Sequence, residues 1–165
     1  MTYRGGVPNL AQVDANVYRS GQITTAEGWD TIAKLANGRA IHVIKLNFDD
    51  EGSDALAAAR GYDVQLLAIQ PAGDRGTWTD VLDVFKQPDA ATVDRAELVL
   101  SMAAALTATD FYLVHCTHGQ DRTGYVIGRH RVQHEGWSKA RAYDEMRAHH
   151  FHPELHGIHE AWERF

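Results

Sequence analysis

One run constrains the fold more than any other: His115-Cys116-Thr117-His118-Gly119-Gln120-Asp121-Arg122-Thr123-Gly124. The apolar stretch Phe111-Tyr112-Leu113-Val114 leads in with strand character, and a helix-like stretch leads out from Tyr125. Strand, tight glycine-containing loop and helix in direct succession require a sheet with a helix packed against it. By average composition, the six positions His115, Cys116, Gly119, Arg122, Thr123 and Gly124 would coincide by chance in about one window in 10⁷–10⁹. The run is therefore read as a built site. It holds the only cysteine of the 165-residue chain.

The spacing suits thiolate chemistry on phosphate. A thiol near neutral pH is mostly protonated, but a helix N-terminus and nearby cations lower its pKa. Cys116, at a strand end facing a helix start, has that setting. The residues between Cys116 and Arg122 can curl so that their N–H groups converge on an anion. Arg122 offers a planar fork that grips two oxygens at once. Thr117, His118, Gly119 and Gln120 then form the phosphate-binding loop. Gly119 supplies the turn and the close backbone approach. Thr123 is expected to donate a hydrogen bond to the sulfur, Gly124 to let the helix pack on the sheet, and His115 to order the loop from behind.

The rest of the chain reads as alternating strands and helices. Residues 1–16 are expected to be an irregular lead-in, followed by a short strand at 17–19. Thr24-Thr25-Ala26-Glu27 has the form of a capping box, and Asn37-Gly38 ends the helix that follows. Strands are expected at 41–46 and 63–69, around a polar turn at 47–52 and an alanine-rich helix at 53–60. A long functional loop is expected at 70–88, with a short helix near 81–85. Helices are expected at 92–106, 122–135, 138–149 and 153–164, with Ser138 capping one and Pro153 starting another. The pattern predicts a single α/β domain over 1–165: a central, mostly parallel sheet of four to five strands flanked by helices, with the cysteine loop at the C-terminal end of a central strand.

Composition narrows the function. Net charge is −6 with neutral histidines, which argues against non-specific nucleic-acid binding. Protonating all ten histidines would carry it from −6 to +4, so anionic ligands are expected to bind better on the mildly acidic side. No apolar run is long enough to span a bilayer. The N-terminus lacks the apolar stretch of a signal peptide, and one cysteine excludes an internal disulfide framework, so a cytoplasmic location is expected.

The cysteine loop resembles that of the protein tyrosine phosphatase superfamily, which follows the pattern His-Cys-five residues-Arg-Thr/Ser-Gly. Val17-Tyr18-Arg19-Ser20-Gly21-Gln22 and Val43-Ile44-Lys45-Leu46 resemble segments of its small dual-specificity branch and of the phosphatase-like (phytase-like) inositol polyphosphatases. Cys116-Thr117-His118-Gly119 is similar to the RNA 5′-triphosphatase branch, and Gly119-Gln120-Asp121-Arg122-Thr123 to the myotubularin-type phosphoinositide phosphatases. The resemblance implies a hydrolase acting through a phosphocysteine intermediate, first on inositol polyphosphates, second on phosphotyrosine or other phosphoprotein, third on RNA 5′-triphosphates. A catalytically silent phosphate-binding module is the non-enzymatic alternative. It implies no cofactor and no catalytic metal.

The resemblance also implies an Asp general acid on a loop before the nucleophile. Asp74 is the candidate there, with Asp80 and Asp83 behind it, and Gly73, Gly76 and Trp78 would let the loop close. Asp121, inside the phosphate loop, is the rival; it could donate the proton or merely orient Arg122. Lys45 and Arg75 are candidate substrate contacts, and Arg19 is expected to fix a neighbouring backbone segment. His149, His150, His152, His156 and His159 invite a metal reading, but no carboxylate or cysteine completes a recognised ligand set.

Overall fold

A computed structural model of the chain describes residues 2–70 and 84–165. Asp74, Arg75 and the rest of 71–83, including most of the short helix expected at 81–85, lie outside the described residues. The described strands are β1 (Tyr3–Arg4), β2 (Val7–Pro8), β3 (Ala11–Asp14), β4 (Val17–Ser20), β5 (Ala40–Lys45), β6 (Asp63–Leu66) and β7 (Asp110–His115). The helices are α1 (Ala26–Ala36), α2 (Ala55–Ala59), α3 (Ala90–Ala103), α4 (Asp121–Glu135), α5 (Lys139–Ala148) and α6 (His156–Arg164). Five strands form one sheet in the order β3-β4-β7-β5-β6, parallel except for the β3–β4 pair. The expected α/β architecture is present, and β7, which feeds the cysteine loop, is the central strand.

The period-two pattern of the strands sorts the core onto two faces. Ile41, Val43, Phe111 and Leu113 face Trp29, Ile32 and Ala36 of α1 and Ala57 of α2. Tyr112, Val114 and Cys116 face the other side with Ile44 and Leu46, under α3 to α6. Cys116 thus continues the alternation of β7 onto the face covered by α4, the helix that its own loop enters.

Local chemistry sets the boundaries. Thr25 caps α1, accepting from Gly28 N at 3.1 Å, one residue later than the Thr24-based box expected. Asn37 ends it in the left-handed region. Asp89 caps α3 through Thr92 N, and Ser138 caps α5 through Arg141 N. Pro153 does not start the last helix; the chain turns at 153–154, and α6 begins at His156 after Leu155.

The lead-in is not irregular. Gly5 and Gly6 both have positive φ, 53° and 76°, which makes the two-residue turn of the β1–β2 hairpin. Then β3 adds an antiparallel edge to the main sheet. Strands of two to four residues carry too little alternation to be visible in a sequence.

Candidate active site

Cys116 is fully buried at the end of β7. Three consecutive loop carbonyls are held from behind. The Thr117 carbonyl accepts from Gln22 N at 2.9 Å, that of His118 from Asn9 Nδ2 at 2.7 Å, and that of Gly119 from Arg19 Nη2 at 2.9 Å. In a trans peptide the N–H points opposite to the C=O. Fixing these carbonyls to the rear therefore directs the amides of 118 to 120 toward the loop interior. The first turn of α4 follows with no side-chain cap from Gln120, leaving a helix start suited to an anion. Gly119 sits at φ 72°, and an added Cβ would lie 2.4 Å from the Ser20 backbone. The glycine is needed for the turn and for contact with the β4 segment.

The rear support is charged. His115 Nε2 lies 2.7 Å from Asp54 Oδ2, and its Nδ1 lies 3.1 Å from the Cys116 carbonyl. Burial would raise the Asp54 pKa, but the hydrogen bond and charge of His115, then Gln22 and Lys45, overturn this and hold it below the usual range. Arg19 is almost wholly buried, and burial lowers its pKa to about 10, opposed by interaction with Cys116. It remains a cation behind the nucleophile.

Arg122 is fully buried and gripped by a residue that sequence reasoning missed. Its Nη1 and Nη2 lie 2.9 and 2.8 Å from Glu51 Oε2 and Oε1, and Nη2 also donates to Thr117 Oγ1 at 3.2 Å. The Glu51 side chain is itself fully buried and accepts from Phe48 N. The pair uses two of the five N–H donors of the guanidinium and fixes its plane. No motif in the sequence marks Glu51; it lies in the turn read as merely polar.

Lys45 builds that turn and does not reach outward. Its Nζ is 2.7 Å from Asp49 Oδ1 and 2.6 Å from the Gly52 carbonyl, and the side chain is 1% exposed. The substrate-contact expectation for Lys45 is corrected: the residue shapes the turn that presents Glu51. Asp121 is buried and engaged by His152. Its Oδ1 accepts from His152 N at 2.7 Å, and its two oxygens lie 3.1 and 3.0 Å from His152 Nδ1.

Two further expectations change. Thr123 Oγ1 is buried with no hydrogen-bond partner, so the donation to sulfur is not formed. An added Cβ on Gly124 would meet only Arg19 and Met146, at 3.6 Å or more, so packing does not demand this glycine. The tight position on α4 is Gly128, against Met146 and Trp162. His118 and Gln120 stay partly exposed on the loop.

The histidine cluster disperses. His152 meets Asp121, His156 stacks on Phe85, and His159 packs against Tyr143 and Phe151. The described residues bring none of them into a metal-ligand group.

No protein-family model matches the sequence. Two Pseudomonas aeruginosa proteins named Dual specificity protein phosphatase TpbA are similar over 138 residues, at 40% identity in strain UCBPP-PA14 and 28% in strain PAO1. The match takes in 84% of this chain and 53% of theirs, so the chain spans about half the length of these curated relatives. Among solved structures, the core catalytic domain of the S. cerevisiae PP-IP phosphatase SIW14 aligns with TM-score 0.67 at 18% identity, covering 92% of this chain and 84% of that one. P. aeruginosa TpbA aligns with TM-score 0.66 at 21% identity, covering 96% and 85%. A TpbA complex with pTyr aligns at 0.57 and 22%, covering 89% and 74%. In sequence the chain resembles the dual-specificity phosphatases, and it has their fold.

Proposed function

We propose that this chain is a cysteine-dependent phosphomonoesterase of the protein tyrosine phosphatase type. The observation that carries the reading is the rear fixation of the 117–119 carbonyls, with Cys116 and Arg122 at the two ends of the loop. The Cys116 thiolate attacks phosphorus, the S–P bond forms, and the ester P–O bond breaks. The inward amides and Arg122 hold the charge on the transferring group. The leaving oxygen takes a proton from a carboxylic acid. That same carboxylate then accepts a proton from the water that attacks phosphocysteine, releasing inorganic phosphate and the thiolate. Asp74 remains the proposed acid. The engagement of Asp121 by His152 favours Asp74 over it.

The proposed substrate class is inositol polyphosphate, with phosphocysteine formed from one of several phosphates. The fold likeness to a PP-IP phosphatase and the phosphatase-like loop residues support this. The second reading is a phosphotyrosine or dual-specificity protein phosphatase, favoured by the TpbA relatives and by the TpbA–pTyr complex. Phosphate release from inositol hexakisphosphate and from a small aryl phosphate, with Cys116→Ser as blank, tests both. Turnover of both, lost in the variant, supports the polyphosphate reading. Turnover of the aryl ester alone moves the substrate to phosphoprotein. Release that persists in Cys116→Ser removes the mechanism altogether.

A further inference from the structure

The C-terminal end of α4, far from the cysteine loop, gathers a second set of chemically competent side chains. His130 and Glu135 of α4 meet Asp14, the last residue of β3. One ligand atom from each of the three lies within 4.8 Å of the others. His130 Nε2 is 3.3 Å from Glu135 Oε1 and 3.5 Å from Asp14 Oδ2. These separations are long for strong hydrogen bonds. They fit the edge of a tetrahedron around a small cation: ligands at about 2.05 Å give an edge of roughly 3.3 Å.

The outer oxygens are already oriented. Arg131 Nη1 lies 3.2 Å from Asp14 Oδ1 and 2.7 Å from Glu135 Oε2. Each carboxylate thus has one oxygen tied to Arg131 and the other turned toward His130, the arrangement by which outer partners aim metal ligands. Arg131 also pairs with Glu145. Asp14 and Glu135 share the one Arg131 guanidinium, which leaves room for a further cation.

One orphaned polar atom points to a missing ligand. His130 is 3% exposed. Asn16 is fully buried. Its Nδ2 donates to the Ala103 and Asp110 carbonyls, and its Oδ1 has no partner. Asn16, Asp14, His130, Glu135 and His134 line one cavity of about 440 Å³. Native proteins rarely leave such buried groups unsatisfied. Water bound to a cation in that cavity would give Asn16 Oδ1 its donor. His134, whose ring stacks on His130 at 5.6 Å, lines the same cavity.

We propose that Asp14, His130 and Glu135 bind a divalent transition-metal ion of the zinc class, clamping the β3 edge strand to the end of α4. The mixed nitrogen and oxygen donor set suits such ions. The site is separate from catalysis, because His130 lies about 12 Å along α4 beyond Arg122.

The test uses the full chain carrying Cys116→Ser, so that no thiolate competes for metal. Zn²⁺ titration by calorimetry and Co²⁺ titration by visible absorption are expected to show one equivalent bound through nitrogen and oxygen. Zn²⁺ at a hundredfold excess over its dissociation constant is expected to raise the melting midpoint by roughly 5–10 °C, reversed by chelation. Adding His130→Gln is expected to weaken binding at least thirtyfold and abolish the shift. Asp14→Asn, at a partly exposed position, provides the same test if the histidine variant does not fold. Absence of binding below 100 µM (roughly the weakest affinity that would hold a structural ion), or binding unchanged in both variants, overturns the proposal.

Discussion

Replacing Glu51 with alanine tests the least anticipated part of the site. The Glu51 side chain is fully buried, its two oxygens grip Arg122 at 2.8 and 2.9 Å, and Phe48 N donates to one of them at 2.7 Å. Removing one partner of such a pair withdraws the Glu51 counter-charge from a buried guanidinium, which costs about 3–5 kcal/mol. For a domain of this size, 1 kcal/mol shifts the melting midpoint by about 2–4 °C, so Glu51→Ala is expected to melt roughly 6–20 °C lower. A phosphate oxyanion in the loop would restore negative charge beside Arg122. Inorganic phosphate is therefore expected to raise the midpoint of the variant by more than that of wild type. Differential scanning fluorimetry with and without phosphate measures both effects, and kcat on an aryl phosphate is expected to fall at least tenfold because Arg122 loses its fixed plane. A variant melting within about 2 °C of wild type, or stabilised by phosphate to the same extent, would refute the reasoning.

Arg19→Met removes both the donor to the Gly119 carbonyl and the cation interacting with Cys116; alkylation of Cys116 by iodoacetamide at pH 6 is expected to slow about tenfold, and an unchanged rate excludes the electrostatic role. Gly119→Ala puts a Cβ 2.4 Å from the Ser20 backbone at φ 72°; kcat is expected to fall by more than about a hundredfold, with a strain cost of at least 1–2 kcal/mol seen in urea unfolding. His149 titrates at about 4 in the folded protein, pushed down from 6.5 by burial and then by Arg19, so the unfolded chain binds more protons between those values and stability falls as pH drops from about 6.5 toward 4. Discounted for partial exposure, this is about 1–2 kcal/mol, and urea midpoints at pH 7 and pH 4.5 should lie closer together in His149→Gln than in wild type.

The parts of the site legible in the sequence are those whose partners are close in the chain. The β7–loop–α4 unit is contiguous, so residue spacing alone places Cys116 and Arg122 at the two ends of one turn. The supports are not contiguous. Asn9 reaches the His118 carbonyl across 109 residues, and Glu51 reaches Arg122 across 71. The segment 47–52 carries the polar residues of any solvated turn. What makes it functional is that Lys45 is buried and draws the Asp49 carboxylate and the Gly52 carbonyl onto its ammonium. The sequence-level alternation of β5 leaves the face of Lys45 ambiguous, and with it the whole role of the turn. Proximity in sequence misled in the opposite direction for His149 to His159. These look like one cluster, but the break before α6 sends His152, His156 and His159 to separate partners. Asp14 and His130, which do meet, are more than a hundred residues apart.

This scatter also changes how charge bears on substrate binding. Counting ten histidines as one pool gives a protein that turns cationic in mild acid. The structure divides the pool. Burial works against protonation of His42, but hydrogen bonds to Asp63 and Asp110 outweigh it and raise its pKa, at the far end of the sheet from the loop. His149 stays neutral down to about 4. His115 is locked between Asp54 and the Cys116 carbonyl. Arg19, Arg122 and Lys45 supply fixed positive charge, each already matched to a carbonyl or a carboxylate. An anion entering the loop therefore meets an oriented field that net charge does not describe.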